Sequence, residues 1–483
     1  MCVKGDEKRE KSSKIVLLAV VLSLVLLSVA TQMVSAYPSK SPDGIKCTPC
    51  HKDGRTGAKS TTVIKTTTKK ATTTAKAAPA KTNVNSNLVK LRDLAKTYGA
   101  TFNWNRKTRT VTIVLNGRTV LFPVGKSIAV VDGKEIALSA TTKLVGQRAM
   151  AAKDVGPQIL RVMAAGYVGS EVCGKCHAEK YNNFIVSGHP WKLQPAAKAM
   201  MRPLPLPKGA TWNDISYVIG GYKWKSRYMD KNGYIITTTG DGPGKNQYNL
   251  ATGTWSDYEA GQRLKYDCGK CHTTGYSQEG HQDGLPGVVG TWAEPGIGCE
   301  ACHGPGAAHV KTNGKSKVKI DKSAALCGKC HIRGSADTIP ASKGFIQHHE
   351  QYNELMASPH KAINCVTCHD PHKKAEFSIK SQGNCASCHS SQADSYAATQ
   401  MAKVGVTCTD CHMPMATKSA VAASPVKGDV MTHLFKIETS PTVSMFSEDG
   451  KNAKGFVTLD FACLSCHKDK DINWAAEKAA NVH

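Results

Sequence analysis

The 483 residues carry 63 Lys and Arg against 37 Asp and Glu, a formal charge of +26. Taken alone, that balance suits a nucleic-acid partner, but the 19 cysteines and 18 histidines point elsewhere. Apart from one run near the start, no stretch is long and apolar enough to span a bilayer.

Residues 1–36 read as a secretory signal peptide. Lys4, Lys8, Arg9, Lys11 and Lys14 form a basic n-region, an apolar run extends from Ile15 to about Ala30, and Val34-Ser35-Ala36 is a small-residue cleavage site. An uncleaved membrane anchor is the alternative, since the apolar run is short for a span. Either way the protein is exported, and its place is the cell surface or cell wall. Cys2 falls in this leader. Residues 37–53 hold an isolated Cys47-Thr-Pro-Cys50-His51 motif. Residues 54–84 are chiefly Thr, Lys and Ala, a composition that buries no core and predicts a solvated linker. It is a simple spacer, or a tether that carries the first motif through wall polymer.

Residues 85–165 contain neither Cys nor His. Leu88, Leu91, Leu94 and Ala95 fall on one face of a helix. Short alternating strands follow (TFNW, TVTIVL, RTVLFPV, IAVV, KEIAL), with Asn116-Gly117 and Asp132-Gly133 as hairpin turns. This is a small α+β module.

Residues 166–483 repeat the Cys-x-x-Cys-His motif eight times. The copies are Cys173/Cys176/His177, Cys268/Cys271/His272, Cys299/Cys302/His303, Cys327/Cys330/His331, Cys365/Cys368/His369, Cys385/Cys388/His389, Cys408/Cys411/His412 and Cys463/Cys466/His467. With the first copy they account for every cysteine except Cys2. The motif is the attachment signature of haem c. Two thiols add to the porphyrin vinyl groups, and the adjacent imidazole becomes the proximal iron ligand. Half zinc sites, thioredoxin-like pairs or disulfides also use CxxC, but none requires His after every second cysteine. The expectation is nine covalent haems.

With roughly 40 residues for each haem in this region, the polypeptide is too thin for an ordinary core, and the porphyrins must supply it. The fold class expected is therefore a multihaem cytochrome, mainly α and irregular, preceded by the α+β module. Helical pieces are expected around 176–187, 349–358, 391–403 and 472–481. The haem-free, aromatic-rich stretch from Ile215 to Tyr258 reads as a β-hairpin insertion. Haem propionates also answer the charge question, because much of the Lys and Arg excess pairs with them. Nucleic acid is excluded on that ground, while anionic shuttles, oxyanions or wall polymers remain suitable partners.

Nine histidines are proximal, so distal ligands come from the other nine. His189, His281, His309, His349, His360, His372 and His433 are the candidates. His348 adjoins His349, and the pair supplies one ligand. His483 ends the chain and is set aside. Seven distal histidines for nine irons leave one or two haems to Met, Lys, a neighbouring subunit or an open sixth position, and an open iron can bind a substrate. Catalytic residues are not assignable from the sequence.

Two resemblances follow from particular residues. The run LRDLA…GA…W…TRTVTI…NG with its later DG turn resembles the stalk domain named after the copper amine oxidase N-terminal region. That implies surface placement or wall association; without His or Cys the segment has no copper site. From about Tyr167 to Lys468 the chain resembles the superfamily of cytochrome c554, pentahaem nitrite reductase, hydroxylamine oxidoreductase and octahaem tetrathionate reductase. The residues carrying this are CEACHGPGAAH (299–309), HHEQYNELMASPHKAINCVTCHDPH (348–372) and GVTCTDCHMP (405–414) with His433. It implies that His309, His360, His372 and His433 are distal ligands. The layout is also similar to nonahaem cell-surface cytochromes of metal-reducing Gram-positive bacteria. The CxxCK motif that marks the catalytic haem of the nitrite reductases is missing, so no active site carries over.

Three functions are thereby expected in order of weight. The first is an electron conduit from partner cytochromes or quinol-linked donors to extracellular acceptors. The second is a reductase of nitrite, hydroxylamine or a sulfur oxyanion at a five-coordinate haem. The third, compatible with the first, is a homo-oligomer or filament that shares axial ligands.

Overall fold

The computed structural model describes residues 87–374 and 383–482. Cys47, Cys50 and His51, the leader, the linker and His483 lie outside the described residues.

The first module forms as its patterning predicts. Strand β1 (Leu88–Lys90) runs into helix α1 (Leu91–Thr97), and five antiparallel strands follow in sequence order. These are β2 (Thr101–Asn105), β3 (Thr110–Leu115), β4 (Arg118–Pro123), β5 (Ile128–Val131) and β6 (Lys134–Ala137). The two-residue turns at Asn116-Gly117 and Asp132-Gly133 have positive φ at both positions, as a type I′ turn requires. Strands β7 (Lys143–Val145) and β8 (Arg148–Ala152) pair with β1 in a second sheet, and helix α2 (Val155–Ala164) closes the module. Leu91, Val111, Ile113, Val120, Phe122 and Leu160 are fully enclosed in its core. Leu88 belongs to β1 rather than to the helix, and it is buried there.

Helix α2 also docks onto the rest of the chain. Arg161 donates to Thr291 Oγ1 at 3.0 Å, the Asp283 amide to Gln158 at 3.4 Å, and Arg118 to the Tyr167 carbonyl. The module is thus tied to the loop 281–291 by side-chain bonds and not only by chain connectivity.

Beyond residue 166 the expectation of a mainly α fold is corrected. Helical residues outnumber strand residues there, but many short strands run among them, and over all the described residues strand and helix are comparable. The supposed hairpin insertion is a seven-stranded antiparallel sheet that starts earlier and ends later. Its main path joins β9 (Leu193–Pro195), β10 (Ile215–Gly220), β11 (Lys225–Asp230), β12 (Gln247–Asn249) and β13 (Thr254–Ser256), with the short strands Tyr234–Ile235 and Leu264–Lys265 added at β11. The reason is the lack of cofactor motifs there. A haem-free stretch must bury its own apolar groups, and β10 and β11 are covered on both faces. Tyr217, Ile219 and Met229 pack with Tyr266, Val288 and Trp292 on one side, while Val218 and Tyr228 pack with Ala199 on the other. A third cluster around Ile346, Leu434, Val457 and Phe461 lies under a four-stranded sheet built from 339–342, 345–347, 417–418 and 452–453.

The expected helices form at Ala178–Ile185, Gln351–Ala357, Ser390–Ala397 with Gln400–Lys403, and Ile472–Ala479. Among the described residues no helix is long and apolar enough to cross a membrane.

Candidate metal centres

Each of the eight described Cys-x-x-Cys-His motifs folds into one turn of helix. In six the His amide donates to the carbonyl of the first Cys four residues earlier, at 2.8–3.2 Å, as in His177 to Cys173 and His389 to Cys385. The other two motifs are the helices Cys299–His303 and Cys408–His412 themselves. One turn brings both thiols and the imidazole to the same side, which is the geometry that a porphyrin edge and its iron demand. Among the described residues no disulfide joins any of the 16 cysteines. Three motifs read Cys-Gly-Lys-Cys-His, and in each a tyrosine ring lies against the glycine. A Cβ on Gly174 would stand 2.7 Å from Tyr181, one on Gly269 2.5 Å from Tyr276, and one on Gly328 2.7 Å from Tyr352.

The two thiols of a motif are not equally enclosed. The first cysteine of every described motif is half-buried, whereas the second is exposed in five of them, at Cys176, Cys302, Cys368, Cys388 and Cys466. Cys176, Cys388 and Cys466 each end a turn that leads straight into a solvent-facing segment: Ala178–Glu179, Ser390–Ser391 and Lys468–Asp469 are all exposed. Beside Cys388 and Cys466 the polar neighbours are the hydroxyls of Ser387 and Ser465, at 4.0 and 3.8 Å from sulfur.

The motifs also touch one another. The thiols here occupy the places of the thioether sulfurs. Cys173 is within hydrogen-bonding reach of Cys299, Cys271 of Cys330, Cys327 of Cys365, and Cys385 of Cys408. Cys302 lies near Cys327, Cys368 near Cys385, and Cys411 near both Cys463 and Cys466. The motifs starting at 173, 299, 327, 365, 385, 408 and 463 therefore form one continuous path, and the motif at 268 branches from it beside Cys330.

Six proximal histidines face a second histidine. The pairs are His177 with His309 (ring centroids 6.2 Å apart), His331 with His189 (6.2 Å), His272 with His349 (6.5 Å), His303 with His372 (6.1 Å), His389 with His360 (5.9 Å) and His369 with His433 (6.1 Å). Two imidazoles sharing one iron need metal–nitrogen bonds of about 2 Å and ring radii of about 1 Å on each side, hence roughly 6 Å between centroids. The residues present fit the group. Among the described residues no cluster of three or more His, Cys, Asp or Glu gathers around a point, which a four-ligand zinc site would require.

The surroundings hold these rings in the ligating form. Burial pushes His189 and His272 down to about 3 and His369 down to about 4, and it lowers His331 and His349 as well. A neutral imidazole is what binds a metal. Several rings are also fixed at Nδ1, which leaves Nε2 for iron. Nδ1 of His303 lies 2.8 Å from the Lys319 carbonyl, that of His309 2.7 Å from Ser316, and that of His412 2.8 Å from Phe435. His331 Nδ1 faces Gln351 Oε1 at 3.1 Å.

The remaining candidates sit differently. His281 is exposed, with Nδ1 2.5 Å from the Val288 carbonyl, at the loop that meets α2. His467 is exposed, and the aromatic ring beside it is that of Trp474, at 4.9 Å. His348 packs against His349 at 4.1 Å and leaves His272 to its neighbour.

No motif or spacing marks the residues that brace these rings. His349 has φ +81°, a left-handed conformation that costs a non-glycine residue about 1–3 kcal/mol and must be held by its surroundings. Arg333 holds it. Its guanidinium donates to the His348 carbonyl at 3.0 Å and lies 2.8 Å from the fully buried Glu350. Asn353 Nδ2 meanwhile donates to the carbonyls of Arg333, Ser335 and Thr338. Glu300, inside the CEACH motif, accepts the amides of Val168, Gly169 and Gly306. Glu294 accepts from the Ser170 amide and hydroxyl, and Ser170 Oγ in turn accepts the Cys299 amide. These carboxylates lock the first described motif against that at 299.

Comparison with known proteins agrees with this geometry. A family model described as Copper amine oxidase N-terminal domain matches residues 66–160, and one described as Cytochrome c554 and c-prime matches residues 245–304. The chain resembles multihaem c-type cytochromes. That likeness implies covalently attached haem c. Over 168 residues, 30% of this chain, it is 27% identical to the multiheme cytochrome MtrA of Shewanella baltica (strain OS185). It spans 45% of that relative, under half its length.

Among solved structures, the octaheme sulfite reductase MccA of Wolinella succinogenes aligns with a TM-score of 0.49 at 18% identity, covering 62% of this chain and 65% of that one. The outer cell wall cytochrome OcwA aligns at 0.43 and 21%, covering 65% and 86%. The undecaheme cytochrome from the S-layer of Carboxydothermus ferrireducens aligns at 0.41 and 19%, covering 70% and 65%.

Proposed function

We propose that this protein is an exported, nine-haem electron conduit at the cell surface or wall, passing electrons from partner cytochromes or quinol-linked donors to extracellular acceptors. The observation that carries this is the unbroken path of neighbouring motifs, six of which pair their proximal histidine with a second one at 5.9–6.5 Å. An iron with two imidazole ligands has no free position for substrate, so its chemistry is electron transfer. On this proposal Cys47, Cys50 and His51 bind the ninth haem, and His309, His189, His349, His372, His360 and His433 are sixth ligands. His281 has the same Nδ1-to-carbonyl anchor as His303 and His309, and it is assigned as a further ligand. The haem supplies the one-electron chemistry. The chain fixes ligands, spacing and surroundings. The decisive measurement is stopped-flow reoxidation of the purified, fully reduced protein. Rapid oxidation by ferric complexes or quinone-like shuttles is expected, and a protein that stays reduced in their presence sinks the proposal.

A second function is favoured at one place. His467 is exposed and neighboured by Trp474 rather than by a histidine among the described residues. If that iron keeps an open position, the C-terminal haem is where nitrite, hydroxylamine or a sulfur oxyanion would be reduced. Resonance Raman spectra showing only six-coordinate, low-spin haem would remove it.

A further inference from the structure

We infer that Glu354 is a positioning residue that acts through His433 to lower the reduction potential of the haem at Cys365–His369. This rests on His369 and His433 being the axial pair of that haem. Glu354 lies on the helix Gln351–Ala357, and its side chain is 1% exposed. Oε1 accepts the Thr417 hydroxyl at 3.0 Å, and Oε2 accepts the His433 amide. The same Oε2 stands 3.6 Å from His433 Nδ1, a buried ring nitrogen with no hydrogen-bond partner of its own, and is the charged group facing it. Among the described residues no Lys or Arg lies within ion-pair distance of this carboxylate. Its negative charge is therefore directed at the imidazole, in a setting where little water screens it.

The other anchored rings lack this feature. Nδ1 of His303, His309 and His412 faces a backbone carbonyl, and that of His331 faces an amide oxygen. His372 has Asp370 at 3.3 Å, but both side chains are about a third exposed and solvent weakens the pair. A carboxylate behind a ligating histidine makes the imidazole a stronger donor, and stronger donation favours ferric over ferrous iron. The reaction affected is the uptake of one electron by that iron. In the path of motifs, Cys365 touches Cys327 on one side, and Cys368 lies near Cys385 on the other. The low-potential haem thus sits mid-path, where electrons moving between the two halves must cross it.

The test is a potentiometric titration of the full-length, haem-loaded protein, followed by visible absorption and EPR. Glu354→Gln should raise one midpoint by a tenfold shift toward the ferrous form, about 59 mV for one electron, with the others unmoved. Glu354→Asp, which keeps the charge, should stay near the parent value. Unchanged midpoints in the Gln variant, or an Asp variant that shifts as far as Gln, overturn the inference. Should the Gln variant lose haem, Thr417→Val provides the second arm. It frees Oε1 from its hydroxyl donor and should lower the same midpoint, and a rise or no change overturns the inference. His433→Met separates the two assumptions. If it leaves every bis-histidine EPR signal intact, the axial pair itself is wrong. If it removes one signal while Glu354→Gln moves nothing, only the role of Glu354 fails.

Discussion

Glu300 offers a quantitative test of how the haem-bearing segments are held together. Its side chain is buried, and its two oxygens serve three amides. Oε1 accepts Val168 at 2.9 Å and Gly306 at 2.7 Å, while Oε2 accepts Gly169 at 2.8 Å. Glu300→Gln retains one acceptor oxygen, which can serve Val168 and Gly306, but it turns an NH₂ toward the Gly169 amide. One buried donor is then left unpaired, at about 1–3 kcal/mol. Glu300→Ala strands all three, for about 3–5 kcal/mol after partial access of water. Local opening is the relevant process, and each 1.4 kcal/mol is about a tenfold change in opening. Hydrogen exchange resolved to single amides should therefore show Gly169 exchanging at least fivefold faster in the Gln variant, with Val168 and Gly306 much less affected. In the Ala variant all three should accelerate more than a hundredfold. Because Val168 and Gly169 precede the helix that carries Cys173 and His177, the Ala variant should also broaden the spectroscopic signature of the His177–His309 haem. Equal protection of all three amides in the Ala variant and the parent would refute this account of the junction.

Three other substitutions have defined outcomes. His309→Ala should convert one low-spin haem into a five-coordinate, high-spin one, visible by EPR and resonance Raman, and an unchanged spin count would remove His309 from the axial set. Arg333→Leu leaves the fully buried Glu350 without its 2.8 Å cation and should destabilise the protein by about 3–5 kcal/mol, read as a lower guanidinium midpoint. Gly328→Val drives new atoms into the Tyr352 ring, whose nearest carbon is only 2.7 Å from an ideal Cβ, and should cost about 1–3 kcal/mol or more by overpacking; a thermal midpoint equal to the parent's would show that the ring moves aside freely.

The turns of the haem motifs were legible because they are local. Cys, Cys and His at fixed spacing meet within one helical turn, and that geometry needs no distant residue. The hairpins at Asn116-Gly117 and Asp132-Gly133 were legible for the same reason, since both turns require positive φ and the sequence supplies residues that tolerate it. Partner choice was not legible. His331 meets His189 across 142 positions and His369 meets His433 across 64, and nothing in the flanking residues encodes those distances. Nor does the motif tell which thiols lie open, because Cys176, Cys388 and Cys466 have the same spacing as the half-buried Cys271, Cys330 and Cys411. Enclosure of the second thiol depends on which distant segment packs over the turn. The braces were hidden too. Glu300, Arg333, Glu350 and Glu354 read as ordinary surface charges in a polar sequence, and only folding shows that their partners are backbone amides and a buried ring. The sheet of 193–265 was underestimated because its central strands are covered on both faces. Strands of that kind lose the polar alternation by which a sequence announces its edges.

The placement of the amino-terminal module bears on where electrons would enter or leave. Helix α2 and the loop 281–291 are joined by Arg161 to Thr291 and by Gln158 to Asp283. The same loop carries His281 and packs Val288 and Trp292 into the cluster that contains Tyr266, two residues before Cys268. The module therefore abuts the motif that branches from the main path, whereas the motif at 463 lies at the far end of that path. On the proposed conduit the amino-terminal module stands beside a branch of the haem series, while the main path of described motifs ends at the motif at 463. Electrons exchanged with a soluble acceptor would on that proposal leave at the motif at 463, because it ends the described path. Kinetics can separate the ends. His467→Ala should slow reoxidation by a ferric chelate while leaving the slower, path-limited transfer among the other haems intact; an unaltered chelate rate would move the exit to the amino-terminal side of the molecule.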